Sequence, residues 1–368
     1  MFLKVGWLQK RRQKGVALIT VMLVVAVATA ISTLMMVREQ RAIARTSSML
    51  NGSQTEQYNF ASEDFAMELL AEDARNDASS GHGAVDSLFE LWATQWPPFP
   101  VNGGTVRARI TDEQGLFNLN DLITDNGQPD PNFTAVFQNI LQSLQLPPGL
   151  LPAIIDWLDP DNDPQGPMGA ESDWYLHQNP PYRAANTFMA SVSELRLIRG
   201  MTPQYYARLS PLLTVLPRGT LININTIDPR LLAAMIPGLS PEQAASIQAA
   251  GAPTGYQRTD AFLSQPSIAV LPQAQLDQLA AVLTINSSYF RVTSQVDIDQ
   301  HRTVLRSVIK RSSANSLQVV SREHILPMLQ AATDSVTTKP SDISAENMQS
   351  MENAFNAPVS TTKPTQHP

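Results

Sequence analysis

The strongest hydrophobic feature of this chain is an uncharged apolar run from Val16 to Val37, 22 residues long. A helix crosses a bilayer core with ~20 apolar residues, so the run is long enough to span. Lys10, Arg11, Arg12 and Lys14 precede it and favour an N-terminus kept in the cytoplasm. Charge enters with Arg38, Glu39, Arg41 and Arg45, and the pattern then turns amphipathic. Tyr58, Ala61, Phe65 and Leu69 recur at helical spacing, whereas Glu63, Asp64, Glu68, Glu72 and Asp73 fall largely off that face. One helix to about Arg75 is predicted: residues 16–37 in the membrane, residues 38–75 packed on a soluble domain. Its weak point is Asn51-Gly52-Ser53, because glycine costs ~1 kcal/mol inside a helix.

A polar break from Asn76 to Gly83 follows, then Trp92, Trp96 and Phe99 among Pro97, Pro98 and Pro100, read as a loop packed over a core. Thr105 to Thr111 alternates with period two and predicts a strand. Asp112-Glu113-Gln114-Gly115 predicts a turn, and Leu116-Phe117-Asn118-Leu119 the return strand of a hairpin. Helical spacing covers Phe133–Leu144, Leu150–Leu158, Ser193–Ile198, Pro203–Leu213, Asp228–Ile236, Pro241–Ala250 and Gln273–Leu283. Strands resume at Ser288–Asp297 and His301–Lys310. These periods give an α+β fold: an antiparallel sheet from 76–125 and 285–312, interrupted by an all-α insertion at 126–284. After Arg311 the pattern weakens; residues from about Thr333 to Pro368 are rich in Ser, Thr, Pro, Gln and Asn, and 313–368 read as a mostly disordered tail, with a short strand or helix expected from Ser321 to Leu329.

Composition narrows the function classes. The chain has no cysteine, so disulfides, thiolate metal sites and cysteine nucleophiles are excluded. Its net charge of −7 opposes a general nucleic-acid partner, which needs clustered Lys and Arg. Two helical pairs, around Gly200 and around Pro237-Gly238-Leu239, have the layout of helix-hairpin-helix units. Their flanks carry Asp228, Arg230 and Glu242 rather than a basic patch. Five scattered histidines, no HExxH, no P-loop and no GxSxG leave no enzyme constellation.

The acidic loop is the one candidate for chemistry. Asp156, Asp159, Asp161, Asp163, Glu171 and Asp173 place six carboxylates within 18 residues. Calcium takes six to eight oxygen ligands from such loops. Asp159, Asp161 and Asp163 have the alternation that opens an EF-hand loop, but Pro164 and Ala170 stand where that motif needs Gly and Glu. A solvated acidic loop with helix caps is the alternative, and two carboxylates of a glycosidase are a poorer match.

At the N-terminus a cleaved secretory signal has an apolar region of ~7–15 residues, shorter than this one. A plain anchor and a prepilin-type signal remain. In the latter the leader is cut after a glycine, here Gly15, and the apolar helix stays. Gly15-Val16-Ala17-Leu18-Ile19-Thr20-Val21 resembles the start of the minor pseudopilin K family of type II secretion systems. The aspartate-rich loop leading into Gly169-Ala170-Glu171 and Trp174 is similar to that family's calcium loop. The resemblance implies a pilin-like domain carrying a helical insertion, cleavage of residues 1–15 by a prepilin peptidase, and N-methylation of Val16. It implies Thr20 in place of the usual glutamate, which suits a tip position in the pseudopilus. It implies calcium ligation by Asp159, Asp161, Asp163, Glu171 and Asp173, with Asp156 a weaker candidate. It implies partnership with minor pseudopilins I and J, an inner-membrane anchor with a periplasmic C-terminal domain, and no enzymatic activity. Two readings stand against it: an anchored pilin-like module binding DNA through the helical pairs, and an anchored calcium-dependent enzyme.

Overall fold

A computed structural model describes residues 14–80, 83–299 and 301–325. Residues 1–13 of the expected leader and 326–368 of the expected tail lie outside them. Helix α1 runs unbroken through Lys14–Ser80, passing both Gly52 and the break expected at Asn76. It is long and apolar enough to cross a membrane, with a stretch of mean hydropathy 2.4, none of it buried inside the protein. Strand β1 (Phe99–Val101) and β2 (Gly104–Asp112) form a hairpin; the Phe99 loop reading therefore becomes an edge strand. Gly104 is obligatory, since a Cβ there would lie 1.7 Å from the carbonyl oxygen of Asp297.

The chain then leaves the sheet. β3 (Phe117–Asn118) pairs in parallel with β4 (Leu213–Thr214), not with β2. Both neighbours of β2 are already taken, by β1 and by a later strand, so the expected return strand has no place there. Phe117, Leu119, Leu122 and Ile123 sink instead into the helical core. That core is built by α2 (Pro131–Ser143), α3 (Leu150–Leu158), the short α4 (Ser172–Leu176), α5 (Pro203–Leu209), β5 (Ile222–Asn223), α6 (Pro229–Met235) and α7 (Pro241–Ala250). It is completed by α8 (Thr259–Leu263), α9 (Pro266–Ala269), α10 (Gln273–Val282) and β6 (Leu283–Thr284). Three strands follow: β7 (Tyr289–Ile298), β8 (His301–Ser313) and β9 (Ser316–Ile325). The sheet order is β1-β2-β7-β8-β9, and every pairing is antiparallel.

β9 falls where the sequence pattern indicated a tail. Its side chains are mostly exposed, so it lacks the apolar alternation that marks a strand. Besides the backbone ladder to β8 and the packing of Leu317 and Val319 against the core, its strongest side-chain tie to α1 is Arg322. Its guanidinium donates to both carboxylate oxygens of Glu63 on α1, at 3.0 and 2.6 Å, and lies 5.3 Å from the centre of the Phe60 ring. Glu63 is buried, as is most of Asp73; both were expected on the solvent side. They face the sheet because arginines of β8 and β9 meet them there. Replacing Arg322 by Ala is expected to cost about 1–2 kcal/mol, since half-exposed Arg322 contributes little itself but leaves Glu63 buried and unpaired. The thermal midpoint of R322A against E63Q/R322A checks this; the double variant should recover part of the loss.

α1 lies along the sheet with a fixed polarity. Ser48 and Asn51 bond to His301 and Asp299 beside the β7–β8 turn, each at 3.0 Å. Leu70 packs with Trp92, Ile110 and Phe290 at the opposite end. The helical block leaves and rejoins the sheet at that second end, after Asp112 and before Tyr289. It therefore caps the domain on the side away from the membrane-length segment.

Candidate metal centre

α3 reads Leu-Leu-Pro-Ala-Ile-Ile-Asp-Trp-Leu, and all of it but Pro152 is buried. Asp156 sits in its last turn and Asp159 is the C-cap, its N–H donating to the carbonyl of Ile155 at 2.9 Å. Three residues apart, the two carboxylates leave the helix on one side. Glu171, extended just before α4, brings a third. Carboxylate oxygens of Asp156, Asp159 and Glu171 lie within 4.8 Å of one another, and all three residues are buried.

The loop between them is shaped around this cluster. Asp156 Oδ1 accepts the N–H of Gln165 at 2.9 Å. A Cβ on Gly169 would lie 2.3 Å from Asp156 Oδ2, so only glycine lets the chain pass. Arg199 holds the Gly169 carbonyl at 2.8 Å. Trp157, next to Asp156 in α3, meets Tyr175 and Tyr182 edge-on, and these two rings contact each other. Yet Asp156 Oδ2 and both carboxylate oxygens of Asp159 and of Glu171 have no hydrogen-bond partner. Burial, then the charges of Asp161 and Asp156, push Asp159 up to about 7. Burial, then Asp156, Asp159 and Asp161, push Glu171 up to about 8. Burial raises Asp156 as well. Orphaned buried carboxylates are costly, and a hard divalent cation is the species such an all-oxygen donor set fits.

The structure brings together only part of the expected ligand set. Asp159 and Glu171 belong to the cluster, and Asp156, the weaker candidate, is central to it. Asp161 is half-buried at its rim, its Oδ1 accepting the Asp163 N–H at 2.9 Å. Asp163 and Asp173 are exposed, Asp163 beyond that turn and Asp173 in the first turn of α4. Asn186 was not foreseen. It donates to the Asp161 carbonyl, holds φ +45° and buries an unpartnered Oδ1. The i, i+3 spacing of Asp156 and Asp159 was a legible signal; nothing in the sequence marks Asn186.

The arginines beside the two helical pairs are engaged internally. Arg230 pairs with Asp228 at 2.6 Å, Arg196 stacks on Tyr206 with the guanidinium carbon 4.2 Å from the ring centre, and Arg208 donates to the Leu144 carbonyl.

Known proteins share this architecture. Residues 115–218 and 222–285 match two family models, both described as type II secretion system protein K; together they span the helical block. The type II secretion system protein K of Pseudomonas aeruginosa is 36% identical over 319 residues, covering 85% of this chain and 93% of that protein. The Klebsiella pneumoniae protein of the same name is 34% identical over 328 residues, covering 85% of this chain and 97% of that one. Among solved structures, the GspK–GspI–GspJ complex of the enterotoxigenic Escherichia coli type 2 secretion system contains a chain with 27% identity and a TM-score of 0.68. The match covers 77% of this chain and 99% of that one.

Proposed function

The chain belongs to the protein K family of type II secretion systems, and we propose that it acts there as the tip subunit of the periplasmic pseudopilus. As a minor pseudopilin it carries one membrane-length helix at its N-terminus and a folded domain behind it. The observation that carries the tip reading is the polarity of the domain. The helical block sits at the end of the sheet remote from the membrane-length segment, where a further subunit would have to stack. Thr20 supports the same reading, since a subunit without the membrane-helix glutamate has less need of a neighbour above. The apolar part of α1, exposed throughout from Leu18 to Val37, offers a surface for the helices of minor pseudopilins I and J. The solved relative is a complex of those three.

In this reading the leader stays cytoplasmic and the domain enters the periplasm from the inner membrane. A prepilin peptidase cuts after Gly15 and N-methylates Val16. Calcium is held by Asp156, Asp159 and Glu171, with Asp161 at the rim. When bound, the ion supplies positive charge to carboxylates that otherwise face one another unpartnered, and so keeps the 160–171 loop folded against α3. The processing step is tested by N-terminal sequencing and intact mass of membrane-extracted protein, with and without the peptidase. A chain starting at methylated Val16 only when the peptidase is present is expected. An intact Met1 start in both samples would reduce α1 to an ordinary anchor and remove the tip assignment.

A further inference from the structure

Just beyond the apolar run, α1 carries Arg38, Arg41 and Arg45. Spacings of three and four put the three side chains on one face of the helix; Glu39 lies off it. All three are exposed, and none has a carboxylate partner among the described residues. Nor do they face the folded domain. Among the described residues the first hydrogen bond from α1 to the sheet is made by Ser48, and residues 38–47 are exposed helix.

The stripe stands at a defined height. At 1.5 Å per residue, Arg38 and Arg41 fall within ~6 Å of Val37, the last apolar residue, and Arg45 within ~12 Å. The headgroup layer on each side of a hydrocarbon core is ~5–7 Å thick, and an arginine snorkels toward it from either side. Processing sharpens the point. Cleavage after Gly15 removes Lys4, Lys10, Arg11, Arg12 and Lys14 and takes the formal net charge from −7 to −12. The basic flank on the leader side is then gone. Arg38, Arg41 and Arg45 become the side-chain cations bordering the span, beneath an acidic domain that an anionic membrane repels.

We propose that Arg38, Arg41 and Arg45 form a docking stripe for the phosphates of anionic lipid headgroups in the leaflet next to the folded domain. The stripe fixes the height of the processed helix in the bilayer once the leader is lost. Arginine suits this role because its planar guanidinium takes two phosphate oxygens at once. The part played by processing rests on the function proposed above; the stripe itself requires only that α1 spans.

The chain has no cysteine, so A42C gives a single label beside the stripe. The labelled full-length and processed chains are reconstituted in phosphatidylcholine vesicles containing a minor fraction of quencher-bearing phosphatidylglycerol or quencher-bearing phosphatidylcholine. Quenching per mole is expected to favour phosphatidylglycerol about fivefold in the processed chain, the effect of roughly one arginine at an anionic surface. The preference should fall to about one in R38Q/R41Q/R45Q and shrink as salt rises. Equal quenching by the two lipids in the processed chain with its arginines intact overturns the proposal, and leaves an acidic neighbouring subunit as the partner. A preference that survives the triple substitution, or is seen only with the leader attached, overturns it too. Failure of processing is read separately, from the N-terminal mass.

Discussion

Stripping calcium with a chelator is expected to lower the thermal midpoint by about 5–10 °C, the equivalent of ~2–3 kcal/mol from a ligand present well above its Kd. The sharper expectation concerns variants. Asp156, Asp159 and Glu171 face one another buried, with five carboxylate oxygens lacking a donor. Without the ion, the apoprotein is relieved either by protonation or by mutation. E171Q should therefore raise the midpoint of the chelated protein while abolishing the gain on adding calcium. D159N should do the same. D163N and D173N alter exposed residues and should leave both midpoints within about 1 °C. Differential scanning calorimetry with calcium and with chelator separates these outcomes. A chelated E171Q no more stable than the chelated parent, or a calcium gain surviving in it, would refute the site.

The periodic parts of the fold were legible, and the parts set by single polar contacts were not. α3 and α7 have the bounds that the sequence indicated: α3 is apolar and buried almost all round, whereas α7 turns Ala244 and Ile247 to the core. β7 and β8 alternate almost without exception. The hairpin expected at Leu116–Leu119 failed because a two-residue parallel pair with β4 depends on residues almost 100 positions away. β9 was hidden for a different reason. It is held mainly by the β8 ladder and the ion pair to Glu63, and its apolar alternation is confined to half-buried Leu317 and Val319, too short to mark a strand. Glu63 and Asp73 were misplaced with it, since a carboxylate on a helix is read as solvent-facing until its arginine is known. In the acidic loop the composition was legible but the geometry was not. Which carboxylates turn inward depends on where α3 ends and on Gly169, which lets the chain pass within contact of Asp156.

R311M is expected to cost about 3–5 kcal/mol, the usual loss when one member of a buried ion pair is removed. Arg311, itself buried, donates to Asp73 of α1 at 2.7 Å, to fully buried Asp86, and to the Ser287 carbonyl at 3.1 Å, with its guanidinium over the Phe290 ring. Asp86 in turn accepts the Ser287 N–H at 2.7 Å, and its carbonyl accepts from Asn223 at 3.0 Å. Asn223 reaches Asp112 at 3.3 Å, where the chain passes into the helical block. One guanidinium thus joins the end of α1, the sheet and both connections to the block. R311M should therefore also uncouple them, splitting thermal unfolding into two transitions, whereas D73N/D86N/R311M should recover most of the loss. Glu90 supplies part of the pH dependence of this junction, beside Asp73 and Asp112, which burial raises to about 6 and about 7. Burial, then the charge of Asp73, raise the Glu90 carboxyl to about 8, so it holds a proton at neutral pH. Its Oε2 also accepts the Trp92 indole N–H at 2.6 Å. A carboxyl whose folded pKa is raised favours the folded state most below its unfolded pKa of ~4.3, and that contribution is lost as pH climbs through about 8. E90Q should make the fall in stability between those limits shallower, above all in its upper part, with Asp73 and Asp112 keeping the remainder. A single, unshifted transition in R311M would show that the two units are held together by something other than this arginine.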